Sequence, residues 1–338
     1  MHELYLRPFA NSIRADVASV MCSYNRLNGS YACQNSYFPN GILKTELGFQ
    51  GYVMSDWLAT HAGYDAINAG LDMDMPDSLG RGNLDSILYL NQDQDFPPID
   101  GQSSTLNVLY SEPVYQFNYG PADVDVRQNH RQHIRELGAA GTVLLKNVDS
   151  TLPLRAPRSI GVFGNDAGDV TDGMYFSGAA IGPYGFESGT LPAGGGSGTG
   201  RFSYLVSPLE VIKARAAQDN TLVQYITKNT VLLLPLVGGI PGITFANGLG
   251  TITPTPDACL VFLKTWAGQG ADRTSLLADW NSTAVVEAVA GYCNNTVVIT
   301  HSTGLNIMPW ADHPNVTAII NAHLPGEQFG NSIVDMLY

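Results

Sequence analysis

A carboxylate beside a tryptophan is the strongest chemical signal in this sequence. Asp56 lies between Ser55 and Trp57 at the end of a short apolar run. A carboxylate can attack the anomeric carbon of a sugar or stabilise an oxocarbenium ion, and an aromatic ring can stack on the C–H surface of a sugar. The bland alternative is an aspartate that makes a local turn next to a core tryptophan. Asp72 and Asp74 compete for the same chemical role.

Several other kinds of site are not expected. The glycine-rich stretch at residues 194–200 fits neither GxGxxG nor the P-loop, because no lysine follows it. The GxSxG elbow of serine hydrolases is absent. No CxxC motif is present, and His130 and His133 lie on a polar predicted helix. We therefore expect no nucleotide, no metal and no cofactor.

Charge and hydropathy narrow the choice of partner. The 338 residues leave room for about two domains, and the net charge is −13. Nucleic acids and anionic membranes need clustered Lys and Arg, so a neutral substrate fits better. The longest apolar stretch, at residues 231–249, is interrupted by prolines and glycines and predicts a buried strand with turns, not a membrane span. The oligomeric state is left open.

The sequence gives mixed signals about compartment. His2 and Glu3 follow Met1 directly, without the apolar segment of a secretory signal peptide. The four cysteines fall as two local pairs, but four cysteines allow three connectivities, and four buried free thiols are the alternative. Four glycosylation acceptor sequences favour a secreted protein. The cysteines are Cys22, Cys33, Cys259 and Cys293, and the acceptor asparagines are Asn28, Asn281, Asn294 and Asn315.

The elements that must position Asp56 alternate between strand and helix over the first eighty residues. We predict a helix at residues 2–6, strands at 19–24, 51–57 and 71–76, and helices at 42–47 and 59–69. Gly48 and Gly70 are expected to end those last two helices, Gly48 as a left-handed cap. Repeated β-α-β units at this spacing predict parallel strands. Functional residues of a (β/α)8 barrel lie at the carboxyl ends of its strands, which is the position of Asp56.

A second αβ series follows an aperiodic stretch rich in Pro, Ser and Tyr. We predict domains at residues 1–80 and 131–338 with a linker at 81–130. The second series predicts a largely parallel sheet covered on both faces by helices. Its predicted strands span residues 142–146, 159–164, 259–264, 296–301 and 316–320, and its predicted helices span residues 133–137, 205–217, 282–290 and 328–337.

A set of motifs is dispersed in order along the chain. The first runs through residues 21–25, 48–57 and 69–76, around Ser55-Asp56-Trp57. Further motifs occur at residues 142–147, 162–168, 196–199, 295–299 and 330–332. Together they resemble glycoside hydrolase family 3, most closely its secreted fungal β-glucosidases. The resemblance implies the carboxyl-terminal part of a (β/α)8 barrel followed by an α/β sandwich domain. It also implies an extracellular protein that hydrolyses terminal non-reducing β-D-glucosyl residues of cellobiose and short glucans.

The resemblance implies a role for each site residue. Asp56 matches the nucleophile of a retaining mechanism, Trp57 would form part of the glucose-binding wall, and Tyr24 would keep the nucleophile ionised and oriented. The family carries its general acid/base on the second domain, in the stretch that matches residues 265–273. Family members have Glu where this chain has Gln269. An amide cannot donate or accept the proton, so natural glucosides should turn over slowly.

Four alternatives stay open. Asp272 could replace the missing acid if its loop rearranges. The chain matches only part of the family pattern at both ends, lacking the earlier barrel strands and ending within the second domain, so it could be a non-catalytic remnant that binds sugar weakly. A β-xylosidase specificity is also possible by resemblance, and a flavodoxin-like binding module would lack its phosphate loop.

Overall fold

The computed structural model describes residues 1–75, 127–170, 188–195, 202, 204–234, 248–268 and 272–338. The chain divides into two units, Met1–Val124 and Asp125–Tyr338. The predicted linker at 81–130 lies almost wholly outside the described residues, as do Gln269 and residues 196–200 of the glycine-rich stretch. The predicted domain bounds stay predictions. Among the described residues, no helix has both the length and the apolar character needed to span a bilayer.

The first unit contains the predicted parallel pairing. Strands β1 (Ser19–Cys22) and β4 (Tyr52–Ser55) are parallel neighbours, with Val20 opposite Val53. Its assignment to a (β/α)8 barrel stays a prediction. The other elements are α1 (Leu6–Arg14), the hairpin strands β2 (Arg26–Leu27) and β3 (Ser30–Tyr31), a 3₁₀ turn (Ala32–Gln34), a π-helix (Tyr37–Glu46) and α2 (Gly63–Asn68).

Both predicted helix-ending glycines are confirmed. The π-helix ends before Gly48, which has a φ of 68°, and α2 ends before Gly70, which has a φ of 105°. Glycine adopts such positive φ values without steric cost, because it has no Cβ. A Cβ at Gly70 would also lie 2.4 Å from Oδ1 of Asn40.

One prediction in the first unit is wrong, and another is borne out only in part. The helix begins at Leu6 and not at His2, because Pro8 would otherwise lie in the helix interior and clash with the carbonyl of Leu4. The predicted strand at 71–76 is reduced, within the described residues, to one parallel bridge between Met54 and Met73. A hairpin at Asn28-Gly29, which the sequence analysis did not predict, joins β2 to β3.

The second unit is built on a six-stranded sheet with the order β5-β10-β9-β8-β6-β7. All neighbours are parallel except β5 and β10, so the prediction of a largely parallel sheet is confirmed. The strands are β5 (Val143–Asn147), β6 (Ser159–Phe163), β7 (Leu222–Ile226), β8 (Ala258–Thr265), β9 (Thr296–Ser302) and β10 (Val316–Asn321).

Helices cover both faces of this sheet. Ile212 of α4 and Ile333 of α7 join one buried cluster, and Val286 of α6 joins the other. The central strands β6, β8 and β9 are buried along their whole length, as parallel strands between helical layers should be. The helices are α3 (His130–Ala140), α4 (Pro208–Gln218), α5 (Asn229–Leu232), α6 (Ser282–Tyr292) and α7 (Phe329–Leu337), with 3₁₀ turns at Val148–Ser150, Gly248–Thr251 and Gly326–Gln328.

The structure also resolves the cysteine alternatives and corrects two details. Cys22 bonds Cys33 and Cys259 bonds Cys293, so free thiols are excluded. Strand β7 was not predicted. Val231 and Leu232 lie in α5, contrary to the predicted strand, because a short apolar run does not distinguish the two by periodicity. Residues 235–247 of that stretch lie outside the described residues.

Candidate active site

Asp56 lies directly beyond the carboxyl end of β4. Its main-chain N–H donates to the carbonyl of Cys22, the last residue of β1, over 3.0 Å. Pairing with β1 therefore continues up to the carboxylate and fixes its place at the edge of the two strands. The Asp56 side chain is half-buried, and its Oδ1 accepts a 2.6 Å hydrogen bond from the main-chain N–H of Trp57.

Tyr24 lies two residues beyond the end of β1 and reaches the same turn. Its hydroxyl donates a 2.6 Å hydrogen bond to the carbonyl of Trp57. Partial burial raises the pKa of Tyr24, and the negative charge of Asp56 and a hydrogen bond with that carboxylate raise it further. The phenol therefore stays neutral at physiological pH and keeps its proton for donation. The three predicted site residues of this unit, Tyr24, Asp56 and Trp57, are together.

The turn after Trp57 holds an uncommon conformation. Leu58 has a φ of 64°, in the left-handed region that a branched side chain seldom adopts. Its N–H donates to the carbonyl of Met75 over 2.8 Å, which fixes the turn from outside. Strain of this kind costs about 1–3 kcal/mol and persists where neighbouring contacts impose it. Here it directs the chain away from the strand directly after Asp56 and Trp57.

The two competing carboxylates are engaged in structural contacts. Asp72 pairs with Lys44 at 2.7 Å and accepts the N–H of Val53 at 2.8 Å. Asp74 accepts hydrogen bonds from the hydroxyls of Thr60, at 2.6 Å, and Ser55, at 3.3 Å. Both side chains therefore fasten the segment after α2 to β4 and its turn. Asp56, by contrast, accepts a local hydrogen bond from the N–H of Trp57.

In the second unit, the segment after β8, in which the acid/base position would lie, runs beside Gly195 of the glycine-rich stretch. Gly195 and Gly268 form a parallel bridge, and the N–H of Gly195 donates to the carbonyl of Ala267 over 2.9 Å. A Cβ at Gly195 would lie 2.8 Å from the ring of Trp266, so this close approach requires glycine. Gln269 follows directly but lies outside the described residues. Asp272 is described and exposed.

A buried polar cluster, which the sequence patterns did not predict, lies at the carboxyl ends of β6, β8 and β9. Asp166 and Nδ1 of His301 are 2.5 Å apart, and both side chains are 0% exposed. Oδ1 of Asp166 also accepts the N–H of Leu191 over 2.8 Å. Lys264 is equally buried and donates to the carbonyls of Asn165 and Gly189. These contacts hold residues 188–195, the segment that reaches the Gly195–Gly268 bridge.

Asp279 supports the start of the same segment. Its Oδ2 accepts the N–H of Trp266 over 2.8 Å. Burial raises the pKa of Asp279, and the Trp266 N–H and the charges of Arg273 and Lys264 oppose that rise. Polar residues directly after apolar strands were the available signal for this cluster, but their partners lie many residues away. Within the described residues, no three His, Cys, Asp or Glu side chains are grouped to hold a metal ion.

Two family profiles match the sequence. The Glycosyl hydrolase family 3 N terminal domain matches residues 1–90, and the Glycosyl hydrolase family 3 C-terminal domain matches residues 142–338. Curated relatives match over the whole chain. "Probable beta-glucosidase G" of Aspergillus flavus is 52% identical, and "Probable beta-glucosidase M" of Emericella nidulans is 38% identical. Each match covers 100% of this chain but 44% of the relative.

Solved structures agree in fold. A glycoside hydrolase family 3 β-glucosidase from Neurospora crassa matches with a TM-score of 0.76 and 36% identity, over 100% of this chain and 43% of that one. A β-D-glucoside glucohydrolase from Trichoderma reesei matches with a TM-score of 0.72 and 32% identity, over 99% and 47%. The chain thus spans less than half the length of these relatives.

Proposed function

Because this chain belongs to glycosyl hydrolase family 3, we propose that it serves the retaining hydrolysis of terminal β-D-glucosyl residues from cellobiose and short β-glucans, with Asp56 as nucleophile. The observation that supports this most strongly is the contrast among three neighbouring carboxylates. Asp72 and Asp74 are engaged in structural contacts, whereas Asp56 lies at a strand end beside Trp57 and Tyr24. The resemblance to named β-glucosidases supports glucose as the sugar.

The proposed first step forms a covalent intermediate. Oδ1 of Asp56 accepts the Trp57 N–H, so we assign Oδ2 to attack the anomeric carbon. The glycosidic C–O bond breaks, and the leaving oxygen takes a proton from a general acid. The neutral hydroxyl of Tyr24 donates to the carbonyl of Trp57 and so orients the turn that carries the carboxylate. Trp57 offers a ring surface for the sugar.

The proposed second step is hydrolysis of the covalent intermediate, and Gln269 should slow it. Water must attack the anomeric carbon, lose a proton to a general base and release Asp56. Gln269 stands at the family's acid/base position and can supply no proton in the first step and accept none in the second. A substrate with a good leaving group needs no acid, so we expect it to load Asp56 and then stall. Cellobiose should react slowly at both steps.

The test compares an activated aryl glucoside with cellobiose, on this chain and on its Gln269→Glu variant. Restoring the acid/base should raise cellobiose turnover by about 10²- to 10⁴-fold. On the parent chain, azide should accelerate turnover of the aryl glucoside and yield β-glucosyl azide, because azide attacks without a general base. Asp272→Asn is the control for the exposed alternative acid. No gain on cellobiose in a cooperatively folding Gln269→Glu variant would contradict the assignment.

A second candidate function is weak, non-catalytic sugar binding, which Gln269 itself favours. It predicts a rise in melting temperature with glucose and no covalent intermediate. An aryl xyloside tested beside the aryl glucoside separates β-xylosidase from β-glucosidase specificity. We also propose passage through an oxidising, secretory compartment, supported by the Cys22–Cys33 and Cys259–Cys293 disulfides.

A further inference from the structure

Two acceptor sequences for N-linked glycans lie side by side in the second unit, and the side chains of their asparagines make different contacts. Asn294 is exposed between α6 and β9, and Asn315 is half-buried just before β10. The two side chains touch, because Nδ2 of Asn315 lies 3.5 Å from Oδ1 of Asn294. A glycan is attached through Nδ2, so the partners of that atom decide whether the fold can carry the sugar.

The Nδ2 atom of Asn315 makes a hydrogen bond within the fold. It donates a 2.8 Å hydrogen bond to the carbonyl of Ala290, in the last turn of α6. Carbonyls in that turn have no intrahelical partner, so Asn315 satisfies one of them. The third residue of its acceptor sequence is also engaged within the fold, because the hydroxyl of Thr317 donates to Oδ1 of Asn295 over 2.6 Å. A glycan on Asn315 would leave Nδ2 one proton for its two acceptors, Ala290 and Asn294, and would place a sugar on a half-buried side chain against the end of α6.

Asn294 has the opposite arrangement. Its Oδ1 faces Asn315, and its Nδ2 donates to no other atom among the described residues. Glycosylation would leave Oδ1 in place as an acceptor for Asn315. The hydroxyl of Thr296, which completes the acceptor sequence, is fully buried and donates to the carbonyl of Cys293 over 3.0 Å. The transferase therefore has to act before this part of the chain folds.

We propose that the folded, secreted chain carries an N-linked glycan on Asn294 and none on Asn315. The donor is a lipid-linked pyrophosphate oligosaccharide. Nδ2 of Asn294 attacks its anomeric carbon, the bond from that carbon to the pyrophosphate oxygen breaks, and the lipid pyrophosphate leaves. Nδ2 gives up one of its two protons to a base of the transferase. Chains modified on Asn315 instead lose one of the two Nδ2 contacts and must place a sugar beside the last turn of α6, so they are depleted from the folded pool.

The position of the glycan within the second unit agrees with a passive, protective role. Asn294 precedes the amino end of β9, whereas the Gly195–Gly268 bridge and the Asp166–His301 pair lie at the carboxyl ends of the strands. Seven residues of strand separate these edges by about 20 Å. The modification is independent of the proposed catalytic function, and its loss should leave any turnover unchanged.

The experiment expresses the chain behind a secretion leader in a glycosylating yeast and maps the secreted protein. Peptide N-glycosidase in heavy-oxygen water converts each occupied asparagine to labelled aspartate, which peptide mass spectrometry locates. Label is expected at Asn294 and not at Asn315. Asn294→Gln should lower the intact mass by one glycan, and the matched Asn315→Gln variant should not. If little chain is secreted, the trypsin-resistant fraction from the cells is mapped in the same way. Label at Asn315, or none at Asn294, in folded protein would overturn the proposal.

Discussion

The hydroxyl of Tyr24 donates a 2.6 Å hydrogen bond to the main-chain carbonyl of Trp57, and so ties the chain beyond β1 to the turn that carries Asp56. The negative charge of the nearby Asp56 carboxylate contributes to the raised pKa of this hydroxyl. One side chain therefore fixes the turn and lies close to the proposed nucleophile. Its removal should affect both the geometry and the reactivity of Asp56.

We predict that Tyr24→Phe slows covalent loading of Asp56 by about 3- to 10-fold, because one hydrogen bond contributes about 0.5–1.5 kcal/mol net. The measurement is the rate at which an activated 2-fluoroglucoside inactivates the chain. Tyr52→Phe is the control, since the exposed Tyr52 hydroxyl has no partner among the described residues. Equal loading rates in the two variants would remove Tyr24 from the proposed site.

The Asp72 and Asp74 carboxylates should matter for stability and not for chemistry. We predict that Asp72→Asn lowers the free energy of unfolding by about 1 kcal/mol, because it breaks the pair with the partly exposed Lys44. The folded fraction of this variant, and of Asp74→Asn, should still load the fluoroglucoside at nearly the parent rate. Urea unfolding and loading kinetics measure the two effects. Loss of loading in either folded variant would indicate that the substituted aspartate, and not Asp56, is the nucleophile.

The sequence patterns predicted the elements better than the contacts between them. The apolar runs predicted the strands that end near Tyr24 and Asp56, because side-chain type is a local signal, and the β-α-β spacing predicted that these strands are parallel. The Asp166–His301 pair was missed because its members are 135 residues apart and meet only when β6 and β9 enter the same sheet. Strand β7 was missed because its half-exposed edge position gives a weaker apolar signal than the buried central strands.

Asp257 predicts a specific dependence of stability on pH. Its carboxylate accepts hydrogen bonds from the Arg158 side chain and from the N–H groups of Arg158 and Ser159, and these contacts hold its pKa below the ordinary value. The stabilisation is therefore complete above the unfolded pKa, near 4, and is lost as pH falls through the lower folded pKa.

We predict that Asp257→Asn lowers the free energy of unfolding by at most about 1 kcal/mol at pH 7, since the pair is solvent-exposed and screened. The difference from the parent chain should shrink as pH falls below the unfolded pKa and disappear once the folded carboxyl is protonated as well. Urea titrations at several pH values measure it. Asp312→Asn is the control, because that exposed carboxylate has no partner within the described residues. A difference that persists at the acidic end would contradict the assigned cause.

The neighbouring asparagines should differ in stability as well as in modification. We predict that Asn315→Ala lowers the free energy of unfolding of unglycosylated chain by about 1–2 kcal/mol, because the Ala290 carbonyl loses its donor. Asn294→Ala should stay within about 0.5 kcal/mol, as expected for an exposed side chain. Chemical denaturation of bacterially produced protein measures both. Equal effects would show that the Asn315 contact does not support α6.

The most direct test of the central claim is the mass of the chain after reaction with an activated 2-deoxy-2-fluoroglucoside. Fluorine at the second carbon slows release more than loading, and the proposed loss of the acid/base at Gln269 should slow release further, so the intermediate should accumulate. We predict one glucosyl adduct per folded chain, located on Asp56 by peptide mapping and absent from Asp56→Asn. An adduct on Asp72 or Asp74, or no adduct on cooperatively folded protein, would contradict the account.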